Sequence, residues 1–240
     1  MAGMAMVLTA AAGSSAIAAC SIRYQELPVT MEDRQARIET QINGHPIKFV
    51  VDSGDAISTI TPGTAAALRL SQSPVRPGFY MQGIGGDVTP TVTKVQDFQI
   101  AGTSLHNIMF LVGGGETGGD TAGLLGQNVL HIGDVEYDLA QGVIRIVKAS
   151  ECRHANMAYW EPKGPSGVME LSALQPNSQM TTGYAEINGK RVAVMFDTGS
   201  PQSYVAIGAA RRAGFDPKGP GVVPAGVSRG VGRRLVQTWI

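Results

Sequence analysis

Two aspartates in this chain sit in nearly the same setting. Asp52 ends the apolar run Phe49-Val50-Val51 and is followed by Ser53-Gly54; Asp197 ends Val194-Met195-Phe196 and is followed by Thr198-Gly199. A carboxylate at the end of a buried strand is costly unless it has a partner or a task. If the two carboxyl groups meet, they cannot both ionise and must share one proton. One can then act as general base on a water while the other protonates or polarises a carbonyl, which hydrolyses an amide with neither metal, cofactor nor covalent intermediate. A glycine after Ser53 and after Thr198 permits a tight turn and frees an amide to approach each carboxylate. The Ser53 and Thr198 hydroxyls can cross-bond between the two copies and hold the turns in register. A shared proton titrates as a property of the pair, so an acidic to mildly acidic optimum is expected.

The elements that must position these groups are repeated. Residues 42–54, INGHPIKFVVDSG, align without a gap on residues 187–199, INGKRVAVMFDTG. Asn43-Gly44 and Asn188-Gly189 are hairpin turn signals with a strand on either side. After each D-[ST]-G comes an apolar strand end and then a short Ala-rich helix. Thr61-Pro62 reads as the cap and first position of the first of these. Repetition of hairpin, buried strand, turn and helix argues for two lobes related by a pseudo-twofold axis.

With those motifs in place, the chain resembles a retropepsin-like aspartic peptidase of the exported bacterial double-lobed type. Asp52-Ser53-Gly54 matches the catalytic turn, and Gly83-Ile84-Gly85-Gly86 matches the glycine-rich flap. Leu124-Leu125-Gly126 matches the later apolar segment that supports the catalytic loop. The resemblance implies an all-β fold of acid-protease barrel lobes and a peptide or protein substrate. It also implies catalysis by Asp52 and Asp197, with Ser53, Gly54, Thr198 and Gly199 as loop support. In the second copy, Gly230-Val231-Gly232 lies at a flap-like distance from Asp197, followed by Arg233 and Arg234.

Two departures from the family pattern stand out. Asp55 follows Gly54 where the family carries a small residue, and the second copy has Ser200 there. A third carboxylate would disfavour the charged form of the pair and raise its pH range, unless it points to solvent and does nothing. The second copy, from Ile187, is also shorter than the first and has no partner for Leu124-Leu125-Gly126. An open sheet edge and an unsupported Asp197 loop are therefore expected. Three readings follow, in this order: an intramolecular Asp52–Asp197 endopeptidase, a homodimer using Asp52 from two chains, and a non-catalytic peptide-binding module or inactive fragment.

Residues 1–19 form a small, apolar, uncharged stretch that reads as a signal-like leader, with Ala16-Ile17-Ala18 as an A-x-A site. The first lobe is assigned to 20–150, a Pro- and Gly-containing linker to 151–180, and the partial second lobe to 181–240. Tyr159 and Trp160 in the linker are expected to pack on a lobe. Export to the periplasm or cell envelope follows from the leader. The two cysteines, Cys20 and Cys152, then suggest a disulfide. Ile17-Ala18-Ala19-Cys20 also resembles a lipobox, and lipidation of Cys20 would attach the chain to a membrane. The two fates exclude each other, and lipidation would leave Cys152 a lone thiol.

Composition narrows the remaining classes. Lys plus Arg equals Asp plus Glu at 19 each, so there is no basic field for nucleic acid. The glycine-rich residues 112–123 lack the Lys-Ser/Thr of a phosphate loop. His45, His106, His131 and His154 show no metal-ligand spacing, and no nucleophile elbow is present.

Overall fold

The computed structural model describes residues 20–115, 120–152, 155, 157–160, 167–173 and 179–240. The leader expected over 1–19 lies outside the described residues, as do His154 and parts of the expected linker.

Strands β1 (Ser21–Pro28), β2 (Thr30–Glu32), β3 (Gln35–Ile42) and β4 (His45–Val51) lead to the Asp52 turn. Then come β5 (Thr59–Ile60), helix α1 (Pro62–Ala67), β6 (Gln72–Pro74) and the hairpin of β7 (Met81–Gly83) and β8 (Gly86–Val88). The long strands β9 (Thr91–Ile100) and β10 (Thr103–Val112) precede β11 (Thr121–Leu125), helix α2 (Gln127–Leu130), β12 (Asp134–Asp138) and β13 (Val143–Ser150). The second repeat contains β14 (Thr182–Ile187), β15 (Lys190–Met195), helix α3 (Ile207–Arg212), β16 (Pro224–Ser228) and β17 (Val236–Trp239).

The fold is all-β, built on a closed barrel. Neighbouring strands run β3-β4-β11-β5-β10-β9, and β9 pairs back onto β3 through Thr40 with Ile100 and Ile42 with Phe98. Closure leaves no open edge among these six strands. Phe49, Phe98 and Phe110 meet inside it with ring centroids 5.4–6.0 Å apart. The apolar run before Asp52 is continuous because β4 is buried on both sides: Phe49, Val50 and Val51 are all inaccessible.

Local signals do what their chemistry requires. Both Asn-Gly pairs are two-residue turns with positive φ at each residue, 50° and 81° for Asn43-Gly44, 50° and 70° for Asn188-Gly189. They set the registers of β3 with β4 and of β14 with β15. Thr61 caps α1, its Oγ1 accepting the Thr64 N–H at 3.1 Å, with Pro62 at the first helical position.

The second repeat is thinner. Among the described residues, β15 pairs only with β14 and β16 only with β17. The main apolar cluster is drawn from residues 27–146. Phe196, Tyr204, Val205 and Phe215 stay 42–53% exposed.

Cys20 and Cys152 form a disulfide. It staples the end of the β1–β13 ladder, whose first pair is Ser21 with Ser150. Because it closes a sequence separation of 132 residues, its removal should destabilise the protein by about 2–4 kcal/mol. Urea unfolding of Cys152→Ser beside wild type, with and without reductant, measures this; identical midpoints would exclude a stabilising bridge. Tyr159, in the expected linker, donates its hydroxyl to Glu136 of β12. Trp160 stacks edge-on against Tyr159 at 5.1 Å and stays 59% exposed.

Candidate active site

The Asp52 turn hangs between strands of the barrel. The Asp52 N–H donates to Leu125 O at 2.9 Å, so the end of β11 holds the turn from below. Gly126 N–H donates to Ser58 Oγ at 2.9 Å, and its α-carbon lies so close to the Asp55 carbonyl that an added Cβ would come within 2.6 Å of that oxygen. Leu124, Leu125 and Gly126 therefore lie directly beneath the turn. The Asp52 carboxylate accepts the Gly54 N–H at 2.9 Å.

The Asp197 turn arrives from the second repeat and is joined to the first by reciprocal hydrogen bonds. Thr198 Oγ1 donates to Val51 O at 2.7 Å and accepts the Ser53 N–H at 3.0 Å. Ser53 Oγ donates to Phe196 O at 2.7 Å and accepts the Thr198 N–H at 3.1 Å. The two glycines are forced by this approach. A Cβ on Gly54 would lie 2.7 Å from the Asp197 carboxyl carbon, and one on Gly199 would strike the Asp52 carboxylate. The carboxyl groups of Asp52 and Asp197 lie within hydrogen-bonding reach of each other.

The two are not equivalent. Asp52 is 8% exposed, whereas Asp197 is exposed. Burial first, then the Asp197 charge and the Asp55 charge, push Asp52 well above the ordinary carboxylate range, against the pull of the Gly54 amide.

The flap residues Gly83, Ile84, Gly85 and Gly86 form the tip of the β7–β8 hairpin, in which Gly83 pairs with Gly86. This tip touches the β16–β17 hairpin. Gly85 N–H donates to Val231 O and Arg234 N–H to Gly85 O, both at 2.9 Å. Arg234 thus serves the contact through its backbone. Gly232, at φ 101°, packs against the Gly85 backbone where no Cβ fits.

Other residues join the site that motif reading did not single out. Gln127, 2% exposed, donates through Nε2 to Ser53 O at 2.8 Å and Thr181 Oγ1 at 3.1 Å, bridging the two repeats. A polar residue directly after Leu124-Leu125-Gly126 in an apolar segment was the available signal. Gln35 reaches Gly199 O through Nε2. Tyr137 stands beside Ser53, and burial pushes its hydroxyl up to about 12; a single tyrosine in β12 gave no signal.

Asp55 is pushed up to about 6 by burial, opposed by the Ile57 and Ala56 amides, with the Asp197 charge adding to the rise. Its folded value lies above the unfolded 3.8, so the folded state binds this proton more tightly. The stability it contributes is complete below about pH 4 and is lost as pH rises through about 6. Asp55→Asn should therefore gain stability over wild type at pH 8, on the order of 3 kcal/mol, and lose the advantage near pH 3. Urea unfolding of both proteins across that range tests it; a constant difference would remove Asp55 from the account.

Residues 38–131, from β3 to the end of α2, match the gag-polyprotein putative aspartyl protease family. The chain is similar to the solved structure of a retropepsin-like aspartic protease from Rickettsia conorii, at 20% identity and a TM-score of 0.40 over 55% of this chain and 97% of that one. It is also similar to EIAV protease complexed with the inhibitor HBY-793, at 22% identity and a TM-score of 0.33 over 40% of this chain and 86% of that one. No curated protein matches it.

Proposed function

We propose that this chain is an aspartic endopeptidase whose dyad, Asp52 and Asp197, is assembled within one polypeptide. The reciprocal Ser53–Thr198 hydrogen bonds carry the reading, because they bring the two carboxyl groups together without a second chain. Asp52 holds the shared proton and Asp197, the more exposed carboxylate, takes a proton from the attacking water. Asp52 then protonates or polarises the scissile carbonyl, and the tetrahedral intermediate collapses as the leaving amine takes a proton. The contacting hairpin tips close over an extended peptide and offer backbone groups to it.

The Cys20–Cys152 disulfide supports an exported location in an oxidising compartment, and it occupies the thiol that lipidation would need. The test is hydrolysis of a peptide library across pH 3–7, with and without a pepstatin-type transition-state analogue. Inhibitor-sensitive cleavage is expected. A folded protein that binds the analogue and cleaves nothing would be a peptide-binding module.

A further inference from the structure

The Asp52 turn rests on the end of β11, whereas among the described residues β15, which leads to Asp197, pairs only with β14. Two glutamines of the first repeat reach across to the second. Gln35, at the start of β3, donates through Nε2 to Gly199 O, inside the Asp197 turn itself. Gln127, in α2 and 2% exposed, donates through one amide nitrogen to Ser53 O at 2.8 Å and to Thr181 Oγ1 at 3.1 Å. Ser53 O and Gly199 O are carbonyls that can only accept, so each glutamine must turn its NH2 group toward the turn it holds.

Gln127 closes a circuit. Its backbone N–H donates to Asp55 O at 2.8 Å, so main chain and side chain both grip the Asp52 turn. Thr181 O accepts the Phe196 N–H at 2.9 Å, and Phe196 O accepts Ser53 Oγ at 2.7 Å. The path from Ser53 through Gln127, Thr181 and Phe196 back to Ser53 ties the residues beside both aspartates into one ring. It does not pass through Thr198. The Gln35 bond is one-sided as well. When the alignment of 42–54 on 187–199 is carried back along the chain, Gln35 falls opposite Met180, whose thioether has no N–H to donate. Burying an amide as deeply as that of Gln127 is favourable only while its donors are used.

We propose that Gln35 and Gln127 are positioning residues for the dyad, through which the first repeat holds the Asp197 turn where the two carboxyl groups can share a proton. This rests on the hydrolytic reading above. Each acts through Ser53, Thr181 or Gly199 rather than on the reacting atoms.

Gln35→Met and Gln127→Met keep the length of the side chain and remove its donors. Thr181→Val removes the acceptor at the far arm of Gln127, and Thr181→Ser keeps it. Ile100→Val, a change in the buried core at the end of β9, serves as a purely structural control. Each protein is compared by kcat, by KM and by NMR titration of the Asp52 and Asp197 carboxyl carbons. In both glutamine variants kcat should fall at least about tenfold with KM within about twofold of wild type. The two apparent pKa values of the dyad should draw together as the carboxyl groups separate. Asp55, whose charge also acts on Asp52, and Tyr137, beside Ser53, are unchanged in every variant. Thr181→Val should behave as Gln127→Met does, Thr181→Ser as wild type, and the Gln127→Met, Thr181→Val pair should lose little more than either alone. Ile100→Val should lower the unfolding midpoint and leave kcat and the titration as they were. Wild-type kcat and titration in either glutamine variant would overturn the proposal, as would the same changes in Ile100→Val. If wild type cleaves no peptide, the hydrolytic reading fails and the titration decides alone: values that draw together support the positioning role, and unchanged values end it. Should Gln127→Met fail to fold, the half-buried Thr181 carries the same comparison through its valine and serine variants.

Discussion

Asp197→Asn is expected to lower the rate of peptide hydrolysis by about a thousandfold or more, the loss anticipated when a group that serves in proton transfer is removed. The substitution keeps the side chain's size and an oxygen able to accept the Ser200 N–H, a bond of 3.0 Å in the native turn. On the proposed mechanism it removes the group that takes a proton from water. Because Asp197 is exposed, the fold should tolerate the change, and the unfolding midpoint should stay within a few degrees of wild type. Asp52 should respond as well. One of the causes that raise it is the charge of Asp197, so its titration should fall in the variant, visible by NMR of the carboxyl carbon. An enzyme built from two Asp52 turns would keep its activity in this variant.

Thr198→Val should have the next largest effect. Valine copies the shape of threonine, so what disappears is the hydroxyl. That hydroxyl donates to Val51 O and accepts from Ser53 N–H, and both of those groups belong to residues with 2% exposure or less. Leaving them unpaired should destabilise the protein by about 1–3 kcal/mol. The greater consequence is positional: with two of the four reciprocal bonds gone, the Asp197 turn shifts against the Asp52 turn and kcat should fall about 10–100-fold. Thr198→Ser restores the hydroxyl and should recover most of the rate. Combining Thr198→Val with Ser53→Ala should cost less than the sum of the two, because the four bonds act as one unit. Additive losses would show that the bonds do not cooperate in holding the dyad.

What the amino-acid sequence made legible is local chemistry. Asn43-Gly44 sets a two-residue turn, Thr61-Pro62 starts a helix, and Gly83 to Gly86 make a hairpin tip. In each the deciding interaction spans a few residues, so residue type alone carries it. The all-β fold was legible for the same reason, since the motifs of the first repeat occur in order along one barrel. Contacts between distant segments were not. Gln127 bridges Ser53 and Thr181, the Gly85 tip meets Val231 and Gly232, and β1 pairs with β13; none of these leaves a period or spacing in the chain. The asymmetry of the dyad was partly visible. Between Asp197 and Ile240 no segment was matched to Leu124-Leu125-Gly126, and the structure gives Asp52 a bond to Leu125 O while leaving Asp197 exposed. That Asp55 Oδ2 is buried with no hydrogen-bond partner among the described residues depends on how the turn is folded, which residue types do not encode.

The central claim is that a single chain supplies both carboxylates. The measurement that tests it most directly is the specific activity of Asp52→Asn, of Asp197→Asn and of an equimolar mixture of the two, each followed over a hundredfold range of protein concentration beside wild type. The account predicts that both variants and their mixture are inactive, and that wild-type activity per molecule does not depend on concentration. Activity restored on mixing, or activity surviving in Asp197→Asn and rising with concentration, would place the dyad between chains and contradict it.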